Sequence, residues 1–262
     1  MSDRGLWSEC DFEVRMAEAR ARLCLGLAAF ASFPGAPPRL GDEAFADALM
    51  QLMALVLERD KDVNLTAITD PVEFAELHLL DSLTPASLPA LAMSTDLIDI
   101  GSGAGFPGLP LALLFPEKRF VLADALRKRT DFIAFAAEEL GLPGVTAVHA
   151  RAEALGREFA YRESFDIALC RAVAALPIAL EYTMPLVRVG GTGIFFKTVR
   201  AEGEIRCSRL ALELLGASAE VEVAKNTDVL PGRAHALYLV RKERATPKTY
   251  PRRDGVPRKA PL

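Results

Sequence analysis

The sequence predicts an α/β protein: a seven-stranded, mostly parallel sheet flanked by helices, with a helical extension ahead of it. Three observations carry this expectation. From residue 96 onward, short apolar blocks of strand length alternate with helix-length stretches, the pattern of β-α-β units joined by right-handed crossovers. The first block runs into a glycine-rich turn, Asp96 to Gly108, DLIDIGSGAGFPG, after which LPLALLF starts a helix. Ahead of it, residues 8 to 33 and 40 to 61 carry helical apolar spacing instead.

In chain order, the second helical stretch places Phe45, Leu49, Leu52, Leu55 and Val56 on one face. PGAPPR at 34 to 39 separates the two helices, because proline and glycine clusters do not continue a helix. Asn64-Leu65-Thr66 reads as a turn, and Asp70-Pro71 as a helix start with Asp as cap and Pro in the first turn. That helix carries His78, Asp81 and Ser82, with His78 and Ser82 one turn apart. Leu97, Ile98 and Ile100 form a block covered on both faces. RFVLAD (119–124), TAVHA (146–150), FDIALCRA (165–172) and GTGIFFK (191–197) read as strands, with helices near 127–141, 152–158 and 177–189 between them. A helix near 200–216 precedes AEVEVAK and HALYLVR, which read as an antiparallel edge pair. The expected division is a helical extension over 1–91, the sheet domain over 92–242 and a basic, proline-rich tail over 243–262, without regular structure.

With 262 residues, 51% of them hydrophobic and 25% charged, the chain is long enough for one full core and an appendage. Four cysteines form no C-x-x-C and three isolated histidines give no metal-ligand spacing, so no metal and a reduced, cytoplasmic setting are expected. MSDRGLWSECDFEVR carries acids where a signal peptide needs an apolar run, and no stretch of about 18 apolar residues suggests a membrane partner. The net charge of −4 argues against a uniformly basic nucleic-acid binder. From Arg241 the balance reverses: Arg241, Lys242, Arg244, Lys248, Arg252, Arg253, Arg258 and Lys259 stand against Glu243 and Asp254. Such a cluster suits phosphate contact, or is a solvated tail.

The glycine turn points to a nucleotide-like cofactor, because a helix N-terminus and bare backbone N–H groups accept polar ligand groups at the carboxyl end of a strand. From Gly103, the spacing formally matches the dinucleotide fingerprint G-x-G-x-x-G. The strand ends at Ile100, however, so the tight-turn glycine is Gly101, and from there the third fingerprint position falls on Phe106. Asp99-x-Gly101-x-Gly103-x-Gly105 is instead the kind of loop that methyltransferases use for S-adenosylmethionine. Asp124, 23 residues after Gly101 at the end of the second strand, stands where a carboxylate accepts ribose hydroxyls, or caps the following helix.

NLTAITDPVEFAELHLLDSL, DIGSGAGFPGLPLAL, LADALRKR, HARAEAL, CRAVAAL and PLVRVGGTGIFFK follow one another from Asn64 to Lys197. In this order and spacing the chain resembles the GidB/RsmG family, bacterial small-subunit rRNA (guanine-N7)-methyltransferases, from about Asn64 to the C-terminus. Three positions depart from the family pattern: Arg59 in place of a tryptophan, Leu77 in place of a basic residue and Thr198 in place of a glycine. The resemblance implies a Rossmann-like class I S-adenosylmethionine-dependent methyltransferase with its last strand inserted antiparallel. It implies cofactor contact by Gly101, Gly103, Gly105, Phe106, Asp124, Ala125, Leu126, Ala152, Glu153 and Arg171. Asn64, His78, Arg151, Lys197 and, a second time, Arg171 are the candidates for the substrate side, from their place at strand ends and from the resemblance, with Lys128 and Arg129 in a basic rim. Three of them have a plainer alternative: Glu153 complementing a helix N-terminus, His78 bonding within its own helix, Lys197 snorkelling to solvent. The implied partner is 16S rRNA in the small ribosomal subunit, at the decoding region, or an assembly intermediate; a monomer is expected.

The end of the fourth strand narrows the reaction. Methylation of exocyclic amines commonly uses Asp/Asn-Pro-Pro-aromatic there, and pyrimidine C5 methylation needs a cysteine nucleophile. Here the chain reads Arg171-Ala172-Val173-Ala174, and alternation turns Cys170 away into the core. Guanine N7 needs neither device, since its lone pair is free at neutral pH; proximity catalysis with no proton-transfer residue is therefore expected. Two other readings stay open: a nicotinamide-dependent oxidoreductase using the Gly103 register, and an assembly factor that holds rRNA without catalysis.

Overall fold

The computed structural model describes residues 9–198, 202–225 and 235–262. Helix α1 (Glu9–Ala31) and helix α2 (Glu43–Val63) are separated by the proline-rich stretch, which ends in a 3-10 turn at Pro38–Gly41. Helix α2 stops at Asn64, which takes the left-handed conformation (φ 53°) as its C-cap. Asp70 accepts the Glu73 N–H (2.9 Å) and caps α3 (Pro71–Phe74), which continues directly into a π-helical segment, Ala75–Leu80. Helix α4 (Pro89–Ala92) leads to the sheet.

The sheet domain alternates β1 (Asp96–Ile100), α5 (Gly108–Leu114), β2 (Arg119–Asp124), α6 (Arg127–Glu139), β3 (Val145–His149), α7 (Ala152–Leu155), β4 (Phe165–Arg171), α8 (Leu176–Thr183) and β5 (Val187–Thr198). Then come α9 (Glu202–Cys207), α10 (Arg209–Leu214), β6 (Ala217–Lys225), β7 (His235–Lys242) and α11 (Val256–Lys259). The strand order is β3-β2-β1-β4-β5-β7-β6, with β7 antiparallel between β5 and β6. The order reverses between β1 and β4, so a crevice opens at their carboxyl ends, where open α/β sheets hold ligands.

Alternation along the strands splits the core in two. Leu97, Leu122, Leu169 and Ile194 face one layer, which they share with Leu23 of α1, Leu49 and Met53 of α2 and Phe132 of α6. Ile98, Ala123, Cys170 and Phe195 face the other, with Leu176 and Leu180 of α8 and Leu212 of α10. The N-terminal helices thus complete one face of the sheet. They also position the π segment: Arg15 pairs with Asp70, and Arg22 Nε with Glu76 Oε1 at 2.6 Å. No helix among the described residues is long and apolar enough to cross a membrane.

The structure departs from the sequence expectations in three places. The helix expected over 177–189 ends at Thr183, and Val187 already pairs with Phe165. The β-branched Val187 and Val189 favour the sheet, and a register shift between Phe165 and Ile167 absorbs the longer strand. The helix expected over 200–216 is two short ones broken at Ser208, whose hydroxyl donates to the Glu204 carbonyl (2.6 Å). The segment 243–262, expected to lack regular structure, carries α11 and is fixed by side chains in place of a ladder. Arg162 donates to the carbonyls of Tyr250 (2.8 Å) and Thr246 (2.6 Å), and Arg252 forks onto Glu181, which is 0% exposed. Two of the eight clustered cations are therefore internal: Arg252, and the buried Lys242, whose ammonium donates to the Met184 carbonyl (2.6 Å). Burial, opposed by Glu163, pushes Lys242 down to about 8.

Arg252→Ala strands the Glu181 carboxylate inside the protein. It is expected to lower the urea unfolding free energy by about 3 kcal/mol, and a loss below about 1 kcal/mol would mean the segment is held by packing alone.

Candidate active site

The turn after β1 is built by backbone bonds to β2. The N–H groups of Gly101 (2.8 Å) and Ser102 (3.1 Å) both donate to the Ala123 carbonyl. Gly101 has φ +71°, and a Cβ there would lie 2.6 Å from Val173 Cγ2, so glycine is required twice over. Gly103 has φ +60° and open space where a Cβ would be. Its N–H donates to Asp124 Oδ2 (3.0 Å), while the Gly108 N–H donates to Asp99 Oδ2 (3.0 Å). Asp99 is buried to the point that its carboxyl is pushed up to about 7, with the Gly108 N–H and Arg171 holding it from rising further. Its Oδ1 accepts no hydrogen bond among the described residues.

A cavity of about 310 Å³ opens beside this turn, within the size range of small-molecule sites. Of the residues named as cofactor contacts from the sequence, Gly101, Asp124, Ala125, Leu126, Ala152 and Glu153 line it, while Gly103 and Gly105 do not. Asp124 is 5% exposed; its Oδ1 accepts the Leu126 N–H (2.9 Å), and its Oδ2 receives a long contact from Arg129 (3.3 Å). Glu153 lines the wall while its Oε1 accepts the Gly255 N–H (2.8 Å). Sequence reasoning missed Tyr182 and Arg258 in this wall, and put Arg129 in an outer rim although it lines the cavity. Burial and Glu153 raise the Tyr182 phenol above its ordinary value, against Arg258 and Arg151.

A second cavity, about 550 Å³, lies on the other side of the β4–α8 connection. Its polar lining is His78, Asp81, Arg171, Lys197, Thr198 and Glu204. Ala172 and Ala174 line both cavities. Ala172 holds φ 56°, a conformation that costs a non-glycine residue on the order of 1 kcal/mol and is concentrated at functional sites.

Arg171 organises the second cavity. Its Nη1 donates to Asp81 Oδ2 (2.9 Å) and to the Leu77 carbonyl (3.0 Å), and its guanidinium lies 5.7 Å from the centre of the Phe106 ring. Its Nη2 meets His78 Nδ1 at 3.3 Å. A guanidinium only donates, so Nδ1 is the acceptor and the imidazole proton sits on Nε2, which donates to Thr66 Oγ1 (2.8 Å). Burial first, then Arg171, press His78 down to about 3, and it is neutral at physiological pH. The ring stacks on Phe106 at 4.9 Å and 14°. Lys197 donates to the Ala174 carbonyl (2.9 Å) and pairs with Glu204 (2.8 Å).

The structure therefore brings His78, Arg171 and Lys197 together, but places Arg171 in the second cavity and not in the one beside the glycine turn. Arg151 is the reverse, lining the first cavity. Asn64 lines neither and serves as an exposed helix cap. Phe106 is 4% exposed, packed between Phe74 and His78 behind the turn. Ser82 is buried and donates back to the His78 carbonyl (2.5 Å). Cys170 is buried, its thiol pushed up to about 12. Two of the three departures from the family pattern, Leu77 and Thr198, line the second cavity. Among the described residues no group of three or more His, Cys, Asp or Glu is placed to hold a metal ion.

The first cavity fits a nucleoside cofactor. Open space beside Gly103 admits a ligand to the backbone, and Asp124, whose weakest partner is Arg129, offers acceptor capacity for hydroxyls. The profile of the family described as GidB, rRNA small subunit methyltransferase G, matches residues 46–230. The ribosomal RNA small subunit methyltransferase G of Rubrobacter xylanophilus is 41% identical over 82% of this chain and 83% of that protein. The protein of the same name from Desulfitobacterium hafniense is 44% identical over 79% and 85%. Among solved structures, a precorrin-6y C5,15-methyltransferase from Geobacter metallireducens is 15% identical, covering 63% of this chain and 88% of that chain, with a TM-score of 0.44.

His78 is expected to stay neutral, protonated on Nε2, down to about pH 4 in nitrogen NMR of its imidazole; a transition near pH 6.5 would contradict its burial. Because the unfolded histidine binds a proton near 6.5 and the folded one resists to about 3, it contributes stability above pH 6.5 that is lost as pH falls toward 3. His78→Gln should flatten that part of the stability profile.

Proposed function

The chain belongs to the GidB family, rRNA small subunit methyltransferase G, and on that premise we propose how its two cavities divide the reaction. It is an S-adenosylmethionine-dependent methyltransferase of small-subunit rRNA. The reading is that the first cavity holds the cofactor, the second holds a guanine of 16S rRNA in the decoding region, and the methyl acceptor is N7. The observation that carries it is the shared wall: Ala172 and Ala174 border both cavities, so a donor in one faces an acceptor in the other across a single strained turn.

S-adenosylmethionine, when bound, supplies a methyl group already activated on a sulfonium. Gly101 and the open side of Gly103 admit it to the backbone, while Gly105, packed on Leu109, shapes the turn behind them; Asp124 accepts its ribose hydroxyls, and Ala125, Leu126, Ala152, Glu153 and Arg151 border the base. Phe106 supports the turn from behind. In the second cavity Lys197 has one N–H beyond the two it spends on Ala174 and Glu204, enough to hold the guanine O6, an acceptor on the same edge as N7. Asn64, outside both cavities, is assigned to the rRNA backbone.

No side chain is needed as a base, because the N7 lone pair is free. Orientation alone supplies roughly 7–11 kcal/mol of barrier reduction. The charge that arrives on the guanine ring is met by a lining of two ion pairs, Arg171–Asp81 and Lys197–Glu204, which leave it electrically balanced. Neutral His78 fixes the Arg171 fork and adds no charge. Exposed Arg241, Lys248, Arg253 and Lys259 are available to meet phosphate. We assign 1–91 to support of the sheet and the π segment, 92–242 to the two cavities and 243–262 to closure of the first. The working state is a monomer in the cytoplasm.

Incubation with methyl-labelled S-adenosylmethionine and small subunits lacking the modification should place label in 7-methylguanosine, detected by nucleoside mass spectrometry. Label in another nucleoside would refute the N7 assignment, and absence of label despite cofactor binding would favour a non-catalytic assembly factor.

A further inference from the structure

The segment after β7 reads from the sequence as a loose basic tail, and six hydrogen bonds fix it against α7, α8 and the turns after α7, beside the first cavity. Arg252 donates from its backbone N–H (2.8 Å) and its guanidinium to the fully buried Glu181 of α8. Gly255 donates to Glu153 of α7 (2.8 Å), and Arg157 bonds both the Arg252 carbonyl (2.9 Å) and Asp254 (2.6 Å). Arg162 holds the Tyr250 carbonyl. A Cβ on Gly156 would stand 2.8 Å from the Pro251 ring, so the segment lies directly on the end of α7. These anchors set α11 at the cavity, and Arg258 lines it together with Tyr182 and Glu153. The family profile stops at residue 230, so this wall comes from sequence outside the matched region.

Its place along the sheet says which part of a ligand it meets. The glycine turn follows β1, Asp124 ends β2, and Ala152 and Glu153 follow β3, in the spatial order β1-β2-β3. A nucleoside with its ribose at Asp124 and its tail at the glycine turn therefore directs its base toward β3, where Arg258 stands. A planar guanidinium stacks on the face of a flat, electron-rich base better than an ammonium does.

We infer that the segment Tyr250–Lys259 is a fixed wall of the cofactor cavity and that Arg258 is a cofactor-binding residue contacting the adenine end of the ligand. This rests on reading the first cavity as the S-adenosylmethionine site. The basic character of the segment then divides: Arg252 anchors, Arg258 binds cofactor, and Arg253 and Lys259 face solvent.

Calorimetric titration of the full chain with S-adenosylhomocysteine, in the absence of RNA, tests it. Arg258→Ala should weaken binding about tenfold with an unchanged thermal midpoint, and Arg258→Lys should restore only part of the loss. Arg253→Ala, on the same segment but outside the cavity lining, should bind as the parent does. Unchanged binding by Arg258→Ala would overturn the inference, and a simultaneous loss of small-subunit binding would reassign Arg258 to an RNA phosphate. A parent chain that takes up no S-adenosylhomocysteine would instead refute the cofactor reading on which the inference stands.

Discussion

Two carboxylates on neighbouring parallel strands hold the glycine turn, and the rest of the site follows from that clamp. Asp99 of β1 takes the Gly108 N–H at the start of α5, and Asp124 of β2 takes the Gly103 N–H at the turn's tip. Each bond satisfies a donor that the turn exposes and no ladder reaches. Between them the backbone bends through positive φ without drifting, leaving open space at Gly103 and a close approach at Gly101. The cost is a carboxyl buried in the core, and Asp99 meets it by rising to about 7. The first cavity is thus shaped before any ligand arrives, which reduces the ordering that binding must impose.

The second cavity depends on a different device, a long side chain fixed at both faces. Arg171 leaves the end of β4 and is gripped by Asp81, the Leu77 carbonyl and His78, all from the α3–π segment and the residue that follows it. The π register turns these groups toward one point, consistent with the frequent use of π segments at functional sites. That segment is itself tied to α1 through Arg15 and Arg22. The N-terminal helices therefore reach the site at second hand, through the position of His78 and Asp81.

Much of this was legible in the sequence, for local reasons. The strand-turn-helix around Gly101 and the carboxylate at Asp124 are set by short-range geometry, so spacing revealed them. So did the inserted antiparallel strand, once the family resemblance was read. The junction of Arg171 with Asp81 joins residues 90 apart, and no motif announces it; the same holds for Arg258 beside Glu153. The proline-rich sequence from Ala245 to Leu262 reads as lacking regular structure, yet it carries α11, and nothing in it announces that Arg162, Glu181 and Glu153 supply its hydrogen bonds. Asn64 and Phe106 also sit in motifs, and the motifs do not announce that one caps a helix and the other is a buried platform behind the turn.

The central claim is that donor and acceptor occupy separate cavities meeting at Ala172 and Ala174. Steady-state methyl transfer with both substrates varied, on Asp124→Asn and Lys197→Met, tests it most directly. The account predicts that Asp124→Asn raises KM for S-adenosylmethionine about tenfold or more with little change for small subunits, and that Lys197→Met does the reverse. If both variants raised the same KM, or if Lys197→Met acted only on the cofactor, the division into two cavities would be wrong.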